Sequence, residues 1–306
     1  MTGILCLGEP LVEFNQSASD KPMDYKMGFG GDISNVAVAA VRAGGTAGVI
    51  SSLGEDKFGA DLRKLWMKEG VGSSLVTTHL TAPTGVYFVS HSTDGHNFTY
   101  MRAGSAASLI SEADLPLVAI SNADILHTSG ISLATSASSA DCVFAAIAHA
   151  RKNRTLVSFD TNLRLPLWPL ERARAMIHAA AQQSDILLPG FDDAKILTGL
   201  ESPQEIVDHY IALGANIVAL TLGAEGTLVA TSAEQKMISA IRVTPIDATG
   251  AGDTFDGAFL TRFLETEDPF ESAAFANAAG GLSTQGFGAV DPMPRRVDID
   301  ACLSPD

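Results

Sequence analysis

Short apolar runs alternate with segments of helical spacing along the first part of the chain. Residues 4–7 and 49–53 are apolar runs of the length and composition of buried strands. Residues 32–43 are rich in alanine and residues 58–69 are amphipathic at the helical period. This strand–helix order predicts βαβ units, which favour a parallel sheet with right-handed crossovers.

The alternation breaks between residues 75 and 103. Residues 86–90 and 97–101 both read as strands, and they flank Asp94-Gly95, a dipeptide that favours a two-residue hairpin turn. Residues 11–27 also lack a helix pattern and are expected to add a strand to the same unit. These segments predict an antiparallel flap attached to the α/β body.

The alternation resumes after residue 124 and continues towards the C-terminus. Helix-period segments separate further apolar runs, and two more helices are predicted at about 252–264 and 269–285. The apolar runs cover residues 125–126, 156–159, 186–188 and 217–220. With 306 residues, the chain suits one α/β domain with a β flap.

Composition and charge exclude several classes of function. A formal net charge of −15 disfavours binding to phosphate backbones and to anionic membranes, so neither nucleic acid nor membrane is an expected partner. The chain lacks an apolar run long enough to span a bilayer. Three widely spaced cysteines do not form a disulfide framework. We therefore expect a cytoplasmic globular protein.

The motif Asp247-Ala-Thr-Gly-Ala-Gly-Asp253 carries the strongest chemical signal. Gly250, Ala251 and Gly252 precede a predicted helix, and backbone N–H groups at a helix start bind anions. A carboxylate at this position is unfavourable for anion binding alone, but it suits a base that deprotonates an alcohol during phosphoryl transfer. The alternative is an acidic N-cap that closes a tight turn.

Three weaker motifs follow predicted strands or open a predicted helix. Gly30-Gly31-Asp-Ile-Ser-Asn35 allows a ligand to approach the backbone, and Asn35 to bind a hydroxyl group. Arg164 ends Phe159-Asp-Thr-Asn-Leu-Arg164, where it could pair with a phosphate or carboxylate. In Thr221-Leu-Gly-Ala-Glu-Gly226, the glycines would allow a nucleotide to lie directly against the main chain. Each has an ordinary alternative: a βα turn, a surface arginine and a hairpin turn.

Other catalytic signatures are absent from the sequence. The dipeptide Gly-Lys does not occur, which excludes a Walker A loop, and the protein-kinase and Gly-x-Ser-x-Gly motifs are missing. The seven histidines show no metal-ligand spacing, and His127 in an apolar run reads as a core residue. We do not expect zinc.

Taken together, the motifs resemble the ribokinase-like, or PfkB, family of carbohydrate kinases. Both family signatures are present and in order: Gly30-Gly31 through Asn35 to Gly59, and residues 247–253. The resemblance covers residues 1–306 as a single kinase domain. It implies a Rossmann-type three-layer α/β/α fold with a β lid formed by about residues 11–29 and 75–104. It also implies ATP and Mg²⁺ as cofactors, Asp253 as the base, and residues 250–252 as the anion hole.

Within this family the chain is most similar to the branch that phosphorylates 2-keto-3-deoxy-D-gluconate at its C6 hydroxyl. Gly8-Glu-Pro-Leu-Val-Glu-Phe14 and Tyr100-x-Arg102 carry that similarity. It implies substrate contacts at Gly31, Asn35, Tyr87, Tyr100, Arg102, Arg164 and Asp291. It implies nucleotide contacts at Thr221, Gly223, Gly226, Gly250, Gly252 and Asn277. Pro189-Gly-Phe-Asp-Asp193 departs from the usual Asn-x-x-Glu, and only Asp193 is kept as a metal-site candidate.

Alternatives to a sugar-acid kinase remain open on sequence alone. One is a neutral-sugar or nucleoside kinase of the same family, such as a fructokinase or ribokinase. The other is a sugar-sensing protein without activity, although an intact Asp253 argues against it. The apolar flap, with Val86, Phe88, Phe98 and Tyr100, suggests a homodimer formed through the lid. Epimer preference, monovalent-cation requirement and nucleotide preference stay undetermined.

Overall fold

The structure, a computed structural model, describes residues 3–16, 23–92 and 95–304, and of residues 91, 92, 95 and 96 the main chain only. Within these ranges the chain forms one large and one small β-sheet together with helices. The strands are β1 (Ile4–Leu7), β2 (Leu11–Gln16), β3 (Tyr25–Gly30), β4 (Ala47–Gly54), β5 (Val76–His79), β6 (Val86–Ser92), β7 (Gly95–Met101), β8 (Ile125–Ser129), β9 (Leu156–Asp160), β10 (Ile186–Leu187), β11 (Ile217–Thr221), β12 (Gly226–Thr231) and β13 (Gln235–Ser239). The helices are α1 (Asp32–Arg42), α2 (Lys57–Glu69), α3 (Leu117–Ser121), α4 (Gly130–Ala134), α5 (Ala137–Lys152), α6 (Leu170–Ala181), α7 (Phe191–Thr198), α8 (Pro203–Leu213), α9 (Ala251–Thr266), α10 (Pro269–Ser283) and α11 (Arg296–Leu303).

The large sheet has the strand order β13-β12-β11-β10-β9-β8-β1-β4-β5. The strands from β11 to β5 in that order are parallel, and β12 and β13 add an antiparallel edge. Thr221-Leu-Gly-Ala-Glu-Gly226 is accordingly the turn of a hairpin between β11 and β12. The predicted α/β class is confirmed.

Both faces of the large sheet are buried because alternate side chains of its strands enter two separate cores. In β1, Ile4 and Cys6 pack with α1, α2, α9, α10 and α11, whereas Leu5 and Leu7 pack with α3 to α8. All four are almost completely buried. A strand covered on both sides reads as a continuous apolar run, which explains the pattern in the sequence. The three predicted layers follow from this packing.

The small sheet has the order β3-β2-β6-β7 and packs on the body through aromatic contacts. Phe14 of β2 stacks on Phe88 of β6 at 5.1 Å and meets Phe58 of α2 edge-on at 5.7 Å. Strands β6 and β7 form the predicted hairpin, although its tip at Asp94 lies outside the described residues, as do residues 17–22. Strand β5, which the lid segment 75–104 included, instead pairs with β4 in the large sheet.

Close packing of α1 against α9 brings the starts of both helices to the same place. A Cβ on Gly257 would lie 2.5 Å from the Val36 carbonyl oxygen, so only glycine permits this approach. Gly31, before α1, has a φ of 88°, and a Cβ there would lie 2.4 Å from the Glu9 carbonyl oxygen. The two glycine motifs therefore converge beside the end of β1.

None of the helices in the described ranges is long and apolar enough to cross a membrane. Cys6 and Cys142 are buried free thiols, and Cys302 is an exposed one. His127 is a buried core residue whose Nδ1 lies 3.1 Å from Ser158 Oγ, and burial lowers its pKa to about 3. The sequence-based interpretation of His127 therefore agrees with the structure.

Candidate active site

A cavity of about 650 Å³ opens at the carboxyl ends of the parallel strands, beneath the small sheet. This is where open α/β sheets bind ligands. It gathers most of the side chains and glycines predicted from the sequence. The predicted residues that line it are Gly31, Asn35, Tyr87, Tyr100, Arg102, Arg164, Asp193, Thr221, Gly250, Gly252 and Asp253.

The start of α9 forms one wall of this cavity. Gly250 is the N-cap and has a φ of 75°, and a Cβ there would lie only 3.0 Å from Ala289. A Cβ on Gly252 would meet nothing within 4 Å, so open space lies against the first turn. Asp247 holds the preceding loop, accepting hydrogen bonds from Thr249 N and Gly288 N at 2.9 Å each. This geometry fits a phosphate group at the positive end of the helix.

Asp253 lies in the first turn of α9 and is half-buried on the cavity wall. Its Oδ2 accepts a hydrogen bond of 2.7 Å from Asn35 Nδ2, across the α1–α9 contact. Loss of hydration and the nearby Asp32 raise the pKa of Asp253 to about 7, against the opposing effects of Asn35 and Arg164. A carboxyl group with such a pKa is suited to general-base catalysis near neutrality.

We expect kcat/KM to rise about tenfold per pH unit on the acid side and to level off above a midpoint of about 7. The base must be ionised, so activity is lost as pH falls through its pKa. Asn35→Leu removes the hydrogen bond that favours the ionised form, and the midpoint should therefore move to higher pH. Initial rates between pH 5 and 9 test this. A midpoint that stays in place in Asn35→Leu would contradict the assigned role of Asn35.

Four further carboxylates line the cavity that the sequence motifs did not single out: Glu9, Asp32, Asp160 and Asp256. Burial raises the pKa of all four. Neighbouring carboxylates add to the rise at Glu9, Asp160 and Asp256, whereas a hydrogen bond from Ser129 acts against the rise at Asp32. Asp32 Oδ1 and Asp256 Oδ2 are buried without a hydrogen-bond partner. Asp256 lies one helical turn after Asp253, which is the one signal that could have identified it.

The carboxylates provide hard oxygen donors of the kind that Mg²⁺ prefers. In the described part of the chain, no three His, Cys, Asp or Glu side chains are placed to enclose a metal ion. Mg²⁺ in nucleotide sites is usually held by one or two carboxylates together with phosphate oxygens, and the unpartnered oxygen of Asp256 fits that role. Asp193, the predicted candidate, accepts a 2.8 Å hydrogen bond from Leu163 N and lies 3.7 Å from Arg164 Nη1.

Two arginines bring positive charge to the cavity. Arg102 is buried, forms an ion pair with Glu9, donates a 2.9 Å hydrogen bond to Thr135 Oγ1 and lies over the Tyr100 ring at 5.7 Å. Arg164 is exposed and donates to the Leu163 carbonyl oxygen at 2.9 Å. Both guanidinium groups line the cavity, where they are placed to contact an anionic ligand.

Two tyrosines of the small sheet complete the wall opposite α9. Tyr87 stacks on Tyr100 at 5.7 Å between centroids, and its hydroxyl donates a hydrogen bond to Glu13. Tyr87 is buried, whereas Tyr100 and Phe98 are partly exposed and also line the cavity. The aromatic side of the lid therefore faces the site, while dimerisation through the lid stays a prediction.

Five predicted site residues do not line the main cavity. Asp291 is exposed beside a second cavity of about 280 Å³ and lies 3.7 Å from Lys26 Nζ. Asn277 is buried, accepts a 2.7 Å hydrogen bond from Thr227 and donates to the Ile238 carbonyl oxygen, which ties α10 to the β12–β13 hairpin. Gly223, Gly226 and Ala251 also lie outside the cavity lining. Ligand contacts by these residues stay predictions.

Known proteins resemble this chain in sequence and in fold. The sequence profile of the "pfkB family carbohydrate kinase" matches residues 1–296. The chain is 34% identical to a 2-dehydro-3-deoxygluconokinase of Thermoproteus tenax (97% of this chain, 94% of the relative). It is 32% identical to probable fructokinase-3 of Arabidopsis thaliana (97% and 90%). A Vibrio cholerae fructokinase with bound fructose, ADP and calcium ion superposes with a TM-score of 0.90 at 29% identity, covering 99% of each chain.

Proposed function

Because the chain belongs to the PfkB family of carbohydrate kinases, we propose that it transfers the γ-phosphoryl group of ATP to the C6 hydroxyl of 2-keto-3-deoxy-D-gluconate. The products are 2-keto-3-deoxy-6-phosphogluconate and ADP. One observation carries the proposal: the start of α9, Asp253 and two arginines share one cavity. An anion site, a base and groups that bind a carboxylate would then lie within reach of one small acid.

Asp253 acts first by accepting the proton of the C6 hydroxyl as its oxygen attacks the γ-phosphorus. The new C6–O–P bond forms while the bond from the γ-phosphorus to the bridging oxygen of ADP breaks. Backbone N–H groups of residues 250–252 stabilise the negative charge on the transferring phosphoryl oxygens. Asp256, whose Oδ2 is buried without a hydrogen-bond partner, would contact Mg²⁺, and the ion would help to neutralise the phosphates.

Arg102 and Arg164 orient the substrate through its carboxylate. A guanidinium group binds a carboxylate through two parallel hydrogen bonds, which fixes both position and direction. Tyr100 lies beneath the Arg102 guanidinium and stacks on Tyr87, and both rings would border the carbon chain of the substrate. Asn35 and Gly31 border the same space from the α1 side. Closure of the small sheet over these groups would exclude water that otherwise hydrolyses ATP.

A neutral-sugar kinase is the second candidate function, and a specific feature favours it. Six carboxylates line the cavity, namely Glu9, Asp32, Asp160, Asp193, Asp253 and Asp256, and carboxylates accept hydrogen bonds from sugar hydroxyls. Glu9 also neutralises Arg102 in part. The similarity to fructokinases is consistent with this alternative.

An ADP-release assay with Mg–ATP distinguishes the two candidates. We expect kcat/KM for 2-keto-3-deoxygluconate to exceed that for fructose, ribose or adenosine by at least about tenfold, or about 1.4 kcal/mol in transition-state energy. Preference for a neutral sugar would agree with kinase activity and with Asp253 as the base, but it would contradict the acid-binding role of Arg102. Absence of ADP release with every acceptor would favour a sugar-binding protein without activity.

Three further expectations accompany this function. ATP is the phosphoryl donor and Mg²⁺ the accompanying ion, as the bound ADP and calcium ion of the Vibrio cholerae fructokinase suggest by analogy. A homodimer through the lid would use the edge strands of the small sheet, β3 and β7. The cytoplasm supplies the reducing environment that the free cysteines suit.

A further inference from the structure

The Arg102 guanidinium is part of a buried ion pair inside the proposed substrate cavity. Its side chain is 9% exposed and that of its partner Glu9 is 2% exposed. Burial raises the pKa of Glu9, while the Arg102 charge and a 2.7 Å hydrogen bond from Ser105 Oγ act against the rise. Arg102 also donates to Thr135 Oγ1 at 2.9 Å, and its Nε is buried without a partner. Nη2 of the guanidinium group is thus occupied by Glu9 and Thr135, whereas Nε has no hydrogen-bond partner.

The ion pair joins the small sheet to the body. Glu9 follows β1 of the large sheet, whereas Arg102 follows β7 of the small sheet. Gly85, which precedes β6, leaves room for the Glu9 carboxylate, because a Cβ there would lie 3.0 Å from Glu9 Oε1. Glu9 is therefore fixed by residues on the small-sheet side and holds Arg102 in one orientation.

The charge of this pair decides how the cavity distinguishes an acid from a neutral sugar. An ionised Glu9 cancels much of the Arg102 charge at the distance of a ligand, so a substrate carboxylate gains less from the arginine than from an isolated cation. The hydrogen bonds that Arg102 offers to a ligand do not depend on that cancellation. Glu9 consequently offsets the charge of Arg102 and, together with Thr135, holds its guanidinium group in position.

We propose that Glu9 is a positioning residue that sets the selectivity between sugar acids and neutral sugars by holding Arg102 and reducing its charge. This rests on the proposed function for the contact between Arg102 and the substrate carboxylate. Glu9→Gln keeps a hydrogen-bond acceptor beside the guanidinium but removes the negative charge. The variant should bind acids more tightly and neutral sugars about as before.

The test compares 2-keto-3-deoxygluconate with 3-deoxyfructose, which carries CH₂OH in place of the carboxylate. We expect Glu9→Gln to raise the acid-to-neutral ratio of kcat/KM by about tenfold or more, through KM and not kcat. Thr135→Val is the matched control, since it removes an uncharged partner of the same guanidinium and should leave the ratio unchanged. An unchanged or lower ratio in Glu9→Gln, or an equal change in Thr135→Val, would overturn the inference.

Failure of the inference about Glu9 can be distinguished from failure of the proposed function. If the wild-type protein prefers the neutral sugar, the proposed function fails, but the ratio should still shift towards the acid in Glu9→Gln. If neither compound is phosphorylated, dissociation constants from calorimetry give the same ratio, and absence of a shift overturns the inference. Should Glu9→Gln fail to fold, Glu9→Asp is the second variant: it keeps the charge but shortens the side chain that holds Arg102, and a KM for the acid and an acid-to-neutral ratio that both equal the wild-type values would overturn the inference.

Discussion

Asp253→Asn should lower kcat by about 10²–10⁴-fold, the usual contribution of a general base. Asparagine keeps the shape of the side chain and can still accept the hydrogen bond from Asn35, but it takes no proton from the substrate hydroxyl. The start of α9 stays intact, so Mg–ATP should bind about as tightly as to the wild type. Single-turnover rates and nucleotide titration separate these two effects.

The same substitution should stabilise the protein at alkaline pH. The pKa of Asp253 is about 7 in the folded state, compared with 3.8 as the ordinary value, so the folded protein binds more protons between these limits. Stability therefore falls as pH rises through this window, by up to about 4 kcal/mol at 1.36 kcal/mol per pH unit. Asparagine removes that loss, so the gain in Tm should be largest near pH 8 and should shrink towards pH 4.

Asp141→Asn is a matched control for both measurements. Asp141 is exposed on α5, and its substitution changes the net charge by the same amount without touching the cavity. It should leave kcat and the pH dependence of Tm as in the wild type. An Asp253→Asn enzyme that keeps full activity would show that another group accepts the proton.

Much of the fold could be predicted because its physical causes are local. Strands buried on both faces must be apolar throughout, which makes β1 and β9 visible as short runs between helix-period segments. Strand β5 was wrongly included in the lid segment. Its sequence Val-Thr-Thr-His is mostly polar because it lies at the edge of the large sheet, and its pairing with β4 depends on tertiary packing. The family and the ribokinase-like architecture are confirmed by the comparisons.

Some residues of the candidate site could be predicted from the sequence, and others could not. Glycines and Asp253 at a helix start form a contiguous motif, and the structure places them at one cavity with Asn35. Glu9, Asp32 and Asp160 were not predicted as site residues. They belong to separate segments of the chain, and only the folded structure brings them together at one cavity. The resemblance assigned roles to Asp291 and Asn277, yet neither lines the main cavity, and those roles stay untested predictions.

The excess of carboxylates explains why charge alone does not define the substrate. Six acidic side chains and two arginines line a cavity that is proposed to receive a nucleotide polyphosphate and a sugar acid. Raised pKa values relieve part of this repulsion and Mg²⁺ would relieve more, but a substrate carboxylate would still need a local cation. Arg102 is the better fixed of the two arginines, because it is buried and held by Glu9 and Thr135.

Arg102→Gln should therefore lower kcat/KM for 2-keto-3-deoxygluconate by about 10²–10⁴-fold, as expected for loss of two charge-assisted hydrogen bonds at about 1.5–3 kcal/mol each. The neutral analogue 3-deoxyfructose should lose less than about tenfold, since it makes no ion pair with the arginine. The ADP-release assay with both compounds measures this difference. Arg102→Lys should recover only part of the activity, because lysine keeps the charge but not the paired geometry.

Loss of Arg102 also leaves Glu9 buried without its cation, which costs about 3–5 kcal/mol and lowers Tm. That cost affects both substrates equally, so the acid-to-neutral ratio, and not the absolute rate, reports substrate recognition. Arg164→Gln provides the comparison, since Arg164 is exposed and its loss leaves no buried charge unpaired. Equal losses for the acid and the neutral analogue in Arg102→Gln would assign Arg102 to structure and make the neutral-sugar kinase the better description of this protein.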